Sequence, residues 1–291
     1  MNNFVITGFA DEISNDIEEQ IRVLRINNIS HIEIRGIDGK NVSDFTLSEA
    51  KRYQKKLNIN GIKVSSIGSP IGKINIKDPF HEHLEKFKHT LDIATIFQSP
   101  YIRMFSFYLN HDDNPNEYQD EVINRWKQFL SVAKDYPDIT LLHENEKDIF
   151  GDTPERCAVL IEKLNDKQVK IAFDPANFVQ CDVEVYPHAF NLLKDDIEYM
   201  HIKDANFSDH KVTPAGLGDG QVQNVLQALV DKKFRGFASL EPHLSMFDGF
   251  INLEQENSLV EEDNSDGEAL FNVASNALRK ILVEKMGQEW K

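Results

Sequence analysis

The segment TLLHENEK (140–147) begins as an apolar run and ends in ionisable side chains, with Glu144 and Glu146 two residues apart. Three later segments repeat the pattern. FDPANF (173–178) passes from an apolar run into Asp174, MHIKDA (200–205) carries His201, Lys203 and Asp204, and ASLEPHL (238–244) ends in Glu241 and His243. Carboxylates and imidazoles move protons and ligate divalent cations. Taken singly, each has a plain structural reading: a lone strand-end Glu commonly caps a helix or sits solvated in a loop, and a lone His is commonly a satisfied core residue. Recurrence in four consecutive segments favours one shared site. If Glu144, Asp174, His201 and Glu241 converge, three uncompensated carboxylates would repel and raise one another's pKa, and a divalent cation relieves that repulsion. Oxygen-rich ligation with one imidazole suits Mn²⁺, Mg²⁺, Co²⁺ or Zn²⁺ without choosing among them.

Eight short apolar or β-branched runs could position these groups: 4–10, 31–37, 63–69, 101–107, 140–146, 170–176, 198–204 and 236–242. Helical spacing fills the intervals. Ile17, Ile21 and Leu24 follow the first run, with Ser14 or Asn15 as the expected N-cap. Leu84, Phe87, Leu91 and Ile93–Ala94 follow the third, and Val122, Trp126, Phe129 and Ala133 the fourth. Eight strand–helix units in series are what a closed parallel (β/α)8 barrel of about 250 residues requires. A doubly wound open sheet would carry a Gly-rich phosphate turn after its first strand, where TGFADEIS has one glycine and two acids. The expected fold class is therefore α/β, a (β/α)8 TIM barrel spanning 1–291 as a single domain. An acidic excursion is expected at about 253–266 and a final helix at about 267–285, packing Leu270, Val273, Ala277 and Leu278 inward.

Catalytic groups of such barrels sit at the C-terminal strand ends, and strand side chains alternate between faces. Glu144 and Glu146 then share a face, as do His201 and Lys203, and Glu241 and His243. Glu33, Arg103 and Lys203 are expected near the mouth, with Arg103 and Lys203 able to hold a substrate phosphate or carboxylate or to pair with neighbouring acids. Lys73 in SPIGK reaches from the third loop, and Asp11 and Glu12, which follow strand one, either contact a sugar hydroxyl or, as the favoured role, cap the first helix. The segment PAGLGDG (214–220) shapes a tight loop and lacks the strand–turn–helix context of a dinucleotide fingerprint.

Composition disfavours several classes. With 48 acids against 32 bases the formal charge is −16, which repels nucleic-acid backbones. No apolar run reaches the length of a membrane span, and the N-terminal residues lack the basic start and apolar core of a secretory signal. Two cysteines, Cys157 and Cys181, are too few for a disulfide framework and read as reduced thiols of a cytoplasmic protein. The apolar stretch LSMFDGFI (244–251) is a candidate homo-oligomer contact.

The segments LLHENEKDIFGDTPERC, FDPANF, MHIKDA followed by VTPAGLGDG, and GFASLEPHL resemble the sugar isomerase/epimerase superfamily of xylose-isomerase-like TIM barrels, also termed AP endonuclease family 2-like. The likeness runs from GFADEIS to SLEPHL and extends to members described as sugar phosphate isomerase/epimerases. The resemblance implies one divalent metal ion held by Glu144, Asp174, His201 and Glu241. It also implies that Glu144 and Glu241 act as an acid/base pair on opposite faces of a bound sugar, with Glu146 contacting substrate or supporting the ligands. Three positions depart from the ketose 3-epimerase pattern: Asn177 stands for a histidine, Phe207 for an arginine and Phe150 for a glutamate. The DNA-repair branch needs further histidine ligands that strands three and four do not offer.

The expected activity is metal-dependent isomerisation or epimerisation of a small sugar, sugar phosphate or hydroxy-keto compound through an enediolate. Glu33, Arg103, Glu146, Lys203, His243 and Lys73 are the expected substrate contacts. Two alternatives stand beside it: a lyase dehydrating a keto-inositol or polyol, and a non-catalytic, metal-stabilised barrel that binds carbohydrate.

Overall fold

The computed structural model describes residues 4–244 and 267–291. Eight parallel strands surround the centre: β1 (Phe4–Gly8), β2 (His31–Ile34), β3 (Lys63–Ile67), β4 (Tyr101–Met104), β5 (Thr140–Glu144), β6 (Val169–Phe173), β7 (Ile197–Ile202) and β8 (Gly236–Leu240). Each pairs with its sequence neighbour from β2 to β8, and β8 pairs back onto β1. A parallel bridge between Phe9 and Glu33 joins the remaining β1–β2 edge. The expected (β/α)8 barrel is the observed fold.

The helices begin where local chemistry satisfies their first N–H groups. Thr46 and Glu49 form a capping box on α2 (Leu47–Ile59), and Asn114 caps α4 (Pro115–Ala133) with proline at its first position. Thr153 caps α5 (Pro154–Leu164) in the same way. For α1 (Ile17–Ile26) the cap is Asp16, whose carboxylate accepts from Glu18 N at 2.8 Å, and not Ser14 or Asn15. The Ser14 hydroxyl instead accepts from Asp16 N.

Strand alternation creates two cores. Outward residues meet the helices, where Phe87 of α3 (His81–Phe97) and Trp126 of α4 pack edge-on against Phe129. Inward residues fill the barrel: Tyr101, Leu142, Ala172, Tyr199 and Phe237 form an apolar floor. Above it the interior turns polar, with Thr7, Ser65 and Tyr199 joined by hydroxyl hydrogen bonds of 2.7 and 3.0 Å. The last helix, α9 (Gly267–Arg279), continues as a wider turn through Lys285. Its inward face is Phe271, Ala274, Ser275 and Leu278, whereas Val273, expected inside, is exposed. Phe271 sets that rotation by lying against Gly8, where a Cβ would come within 3.1 Å of its ring. The expected acidic excursion at 253–266 and the apolar stretch from 245 to 251 lie outside the described residues.

Candidate metal and active site

Four inward side chains meet above the floor. Glu144 ends β5, Asp174 follows β6, His201 lies near the end of β7, and Glu241 follows β8. Each offers one ligand atom, and the four atoms lie within 4.8 Å of one another. All four side chains are buried.

Local sequence brings them together. Asp174 is the N-cap of α6 (Pro175–Gln180): its Oδ1 accepts from Asn177 N at 2.9 Å, which turns Oδ2 toward the cluster. Asn145 ties the ends of β5 and β6, accepting from Asp174 N and donating to Asp174 O, both at 2.9 Å. The Asn177 amide donates to Asn145 O at 2.9 Å and approaches Glu144 Oε1 at 3.4 Å. Asn145 escaped the sequence reading because its side chain serves backbone groups across a strand gap.

His201 turns Nδ1 into the cluster, 2.7 Å from Glu144 Oε1 and 3.5 Å from Glu241 Oε2. Its Nε2 lies 3.3 Å from Glu33 Oε2. Glu33, expected to contact substrate, is fully buried behind the imidazole. The inward register of β2 places it below the mouth, so it supports His201 instead.

Lys203 lies 3.1 Å from Asp174 Oδ2 and 3.5 Å from Glu241 Oε2. Arg103 approaches Glu144 Oε2 at 3.3 Å and sits between the Phe9 and Phe105 rings, 4.9 Å from each centroid. Lys73 pairs with Glu146 at 3.1 Å over the Phe105 ring. His243 meets Glu12 at 3.0 Å and Glu241 Oε1 at 3.2 Å. Asp11 and Glu12 do not cap α1; they hold Arg35 at 2.6 and 3.3 Å. Their position after β1 was the signal for a mouth location, by the same strand-end rule that found the others.

The electrostatics are strained by crowding. Burial, with the charges of Glu241 and Glu144, pushes Asp174 up to about 7 against the pull of Lys203. Burial also opposes ionisation of Glu241, but Lys203, His243 and His201 outweigh it and hold that carboxyl well below its usual range. For Glu33 burial is again outweighed, here by His201 and Arg103. Burial pulls His243 down, yet Glu12 and Glu241 prevail and raise it to about 9.

A divalent cation fits this donor set. Glu144 Oε2, Asp174 Oδ2 and Glu241 Oε2 are buried without a hydrogen bond, and three carboxylates with one imidazole are oxygen-rich ligands for a hard or borderline ion. A second group, Glu12, Glu241 and His243, lies within the same span but has Arg35 on its carboxylates.

Fold and site together define a (β/α)8 barrel with an acidic, imidazole-bearing cluster at the mouth. The family model described as xylose isomerase-like TIM barrel matches residues 26–263, and the chain belongs to that family. Comparison with curated protein sequences gives no match. Among solved structures, the probable 3-DHS dehydratase AsbF of Bacillus anthracis is similar at 17% identity and TM-score 0.68, covering 87% of this chain and 97% of its own. The IOLI protein with a bound zinc atom is similar at 13% identity and TM-score 0.72, with 98% and 99% covered. A D-tagatose 3-epimerase-like protein is similar at 16% identity and TM-score 0.71, with 98% and 100% covered.

The three departures from the ketose 3-epimerase pattern have clear structural consequences. Phe150 is fully buried, Phe207 is 40% exposed, and the Asn177 amide is engaged by Asn145 and Glu144. Among the described residues no helix is long and apolar enough to cross a membrane, and Cys157 and Cys181 are free thiols.

Proposed function

We propose that the protein is a divalent-metal-dependent isomerase or epimerase of a small polyhydroxy carbonyl compound, working through an enediolate. The observation that carries this reading is the buried four-residue cluster within 4.8 Å, with three carboxylate oxygens lacking hydrogen bonds, at the mouth of a barrel of this family. Glu144, Asp174, His201 and Glu241 would hold one ion, Mn²⁺, Mg²⁺, Co²⁺ or Zn²⁺. Bound there, it would polarise a carbonyl and its neighbouring hydroxyl, acidifying the carbon-bound proton.

Every other task falls to the chain. Glu144 ends β5 and Glu241 follows β8, and each presents a carboxylate that can take or return a proton. Return to the adjacent carbon isomerises, and return to the opposite face of the same carbon epimerises. Arg103, 3.3 Å from Glu144, places positive charge where enediolate charge develops. Phe9 and Phe105 keep water from the guanidinium faces. Glu146, Lys73 and His243 line the rim, where they would meet substrate hydroxyls.

The test is solvent deuterium uptake into a panel of ketoses, aldoses, keto-cyclitols and hydroxy-keto acids, read by mass spectrometry. Glu144→Gln and Glu241→Gln should lose uptake while retaining the wild-type circular dichroism. Full turnover by either variant refutes the assignment, and a product lighter by one water makes the reaction a dehydration.

A further inference from the structure

In (β/α)8 barrels the loops after strands seven and eight are a frequent seat of a phosphate, which is held by backbone N–H groups. The loop after β7 has those N–H groups, but a carboxylate of the chain fills them. Asp204 Oδ2 accepts from Gly216 N at 2.9 Å and Gly218 N at 3.1 Å. Its Oδ1 accepts from Gly220 N at 2.8 Å and Ala205 N at 2.9 Å. The carboxylate is fully buried, in the position an external anion takes in a backbone nest. The loop wraps it at glycine-only range: a Cβ at Gly218 or Gly220 would lie 2.6 or 2.7 Å from Oδ1.

Among the described residues, five side-chain cations of the mouth each face a carboxylate of the chain. Arg35 holds Asp11 and Glu12, Lys73 holds Glu146, Arg103 faces Glu144, Lys203 faces Asp174, and His243 lies between Glu12 and Glu241. Residues 245–266, the segment after the eighth strand, contain seven acids and no Lys, Arg or His. The sequence therefore supplies no further cation there, and a formal charge of −16 lowers the local concentration of anions. At the rim, outside the four metal-cluster residues, an anionic substrate group would have to draw Lys73 from Glu146 or Arg35 from Asp11 and Glu12, leaving a carboxylate uncompensated. A hydroxyl both accepts and donates, so it can bridge Lys73 and Glu146, or His243 and Glu12, without parting them.

We propose, building on the isomerase/epimerase reading, that the substrate is an uncharged polyhydroxy carbonyl compound, a free sugar or keto-cyclitol, and not a phosphate ester or a sugar acid. Asp204 occupies the barrel's phosphate seat, and the paired rim selects hydroxyls.

Two measurements test it. The first is calorimetric titration of inorganic phosphate into metal-free protein at fixed ionic strength. The wild type should give no saturable heat up to about 10 mM, whereas saturation with Kd below about 1 mM overturns the proposal. Phosphate binding gained only in Glu146→Gln, which removes the carboxylate beside Lys73, supports it further. The second is deuterium uptake by metal-loaded protein into matched pairs, a ketose with its phosphate ester and a keto-cyclitol with a keto acid. The uncharged member should exchange with at least about tenfold higher kcat/KM, a difference of about 1.4 kcal/mol in transition-state binding. Faster exchange of the charged member overturns the proposal. Absence of uptake from every compound counts against the isomerase/epimerase reading itself, and the phosphate titration then decides the anion question alone.

Discussion

Replacing Glu33 by glutamine tests the geometry of the cluster without touching any of its four proposed ligands. The Glu33 carboxylate and the His201 ring are both fully buried, with Oε2 3.3 Å from Nε2. The other ring nitrogen, Nδ1, is the one within 2.7 Å of Glu144. A carboxylate behind an imidazole holds the proton on the nitrogen that faces it, here Nε2, and leaves Nδ1 as the lone-pair donor, and it fixes the plane of the ring. Loss of such a partner costs ten- to a hundredfold in metal affinity, about 1.4–2.7 kcal/mol. Glutamine keeps the shape of the side chain and an accepting carbonyl but removes the charge, so Glu33→Gln should fall at the lower end and Glu33→Ala at the upper. The assay is competition for Zn²⁺ or Mn²⁺ against a chromophoric chelator, with circular dichroism to verify the fold. A Glu33→Gln affinity within about twofold of the wild type refutes the reasoning, because the ring would then hold its orientation without the charge.

Other outcomes follow from the same structure. Asp204→Ala leaves four backbone N–H groups without their acceptor and should lower stability by about 3 kcal/mol or more; a change under about 1 kcal/mol in urea unfolding contradicts the nest. Trp126→Ala removes a fully buried ring from the aromatic layer under α4 and should cost about 3–5 kcal/mol by the same measurement. Burial pulls His83 down to about 4 while its Nε2 accepts from Gly72 N, so the folded state resists its protonation. Its contribution is complete above the unfolded value near 6.5 and is lost as pH falls toward 4, about 3 kcal/mol in all. His83→Gln, which can still accept from Gly72, should flatten that acid limb of the stability profile; an unchanged slope removes His83 as its source.

Much of this protein is legible along the chain because its units are local. Period-two alternation placed Glu144, Asp174, His201 and Glu241 on the inner side of their strands, and one rule about strand ends raised them to the mouth. The faces of α1 and α4 followed from 3.6-residue spacing, and Val122, Trp126, Phe129 and Ala133 are buried as that spacing requires. These features depend on neighbours within a few residues, which is the range that a sequence displays.

What only the tertiary structure decided depends on elements far apart in the chain. The rotation of α9 is set by Phe271 against Gly8, more than half the barrel's circuit away in sequence, so its spacing alone chose Val273 wrongly. Glu33 carries the alternation of an inward residue, but its meeting with His201 requires opposite strands to close around one axis. Asp11 and Glu12 follow the first strand and Arg35 the second, and they become a rim with His243 only where β8 returns to β1. Asp204 is a strand-end acid like Asp174 by every sequence criterion. Its neighbours separate their roles: Asp174 leaves one oxygen toward the cluster, while four N–H groups of Ala205 and the glycine loop take both oxygens of Asp204. Sequence determines which groups can do chemistry and which side of an element they occupy; closure of the barrel determines which of them remain uncompensated, because charge and hydrogen bonding are settled through space.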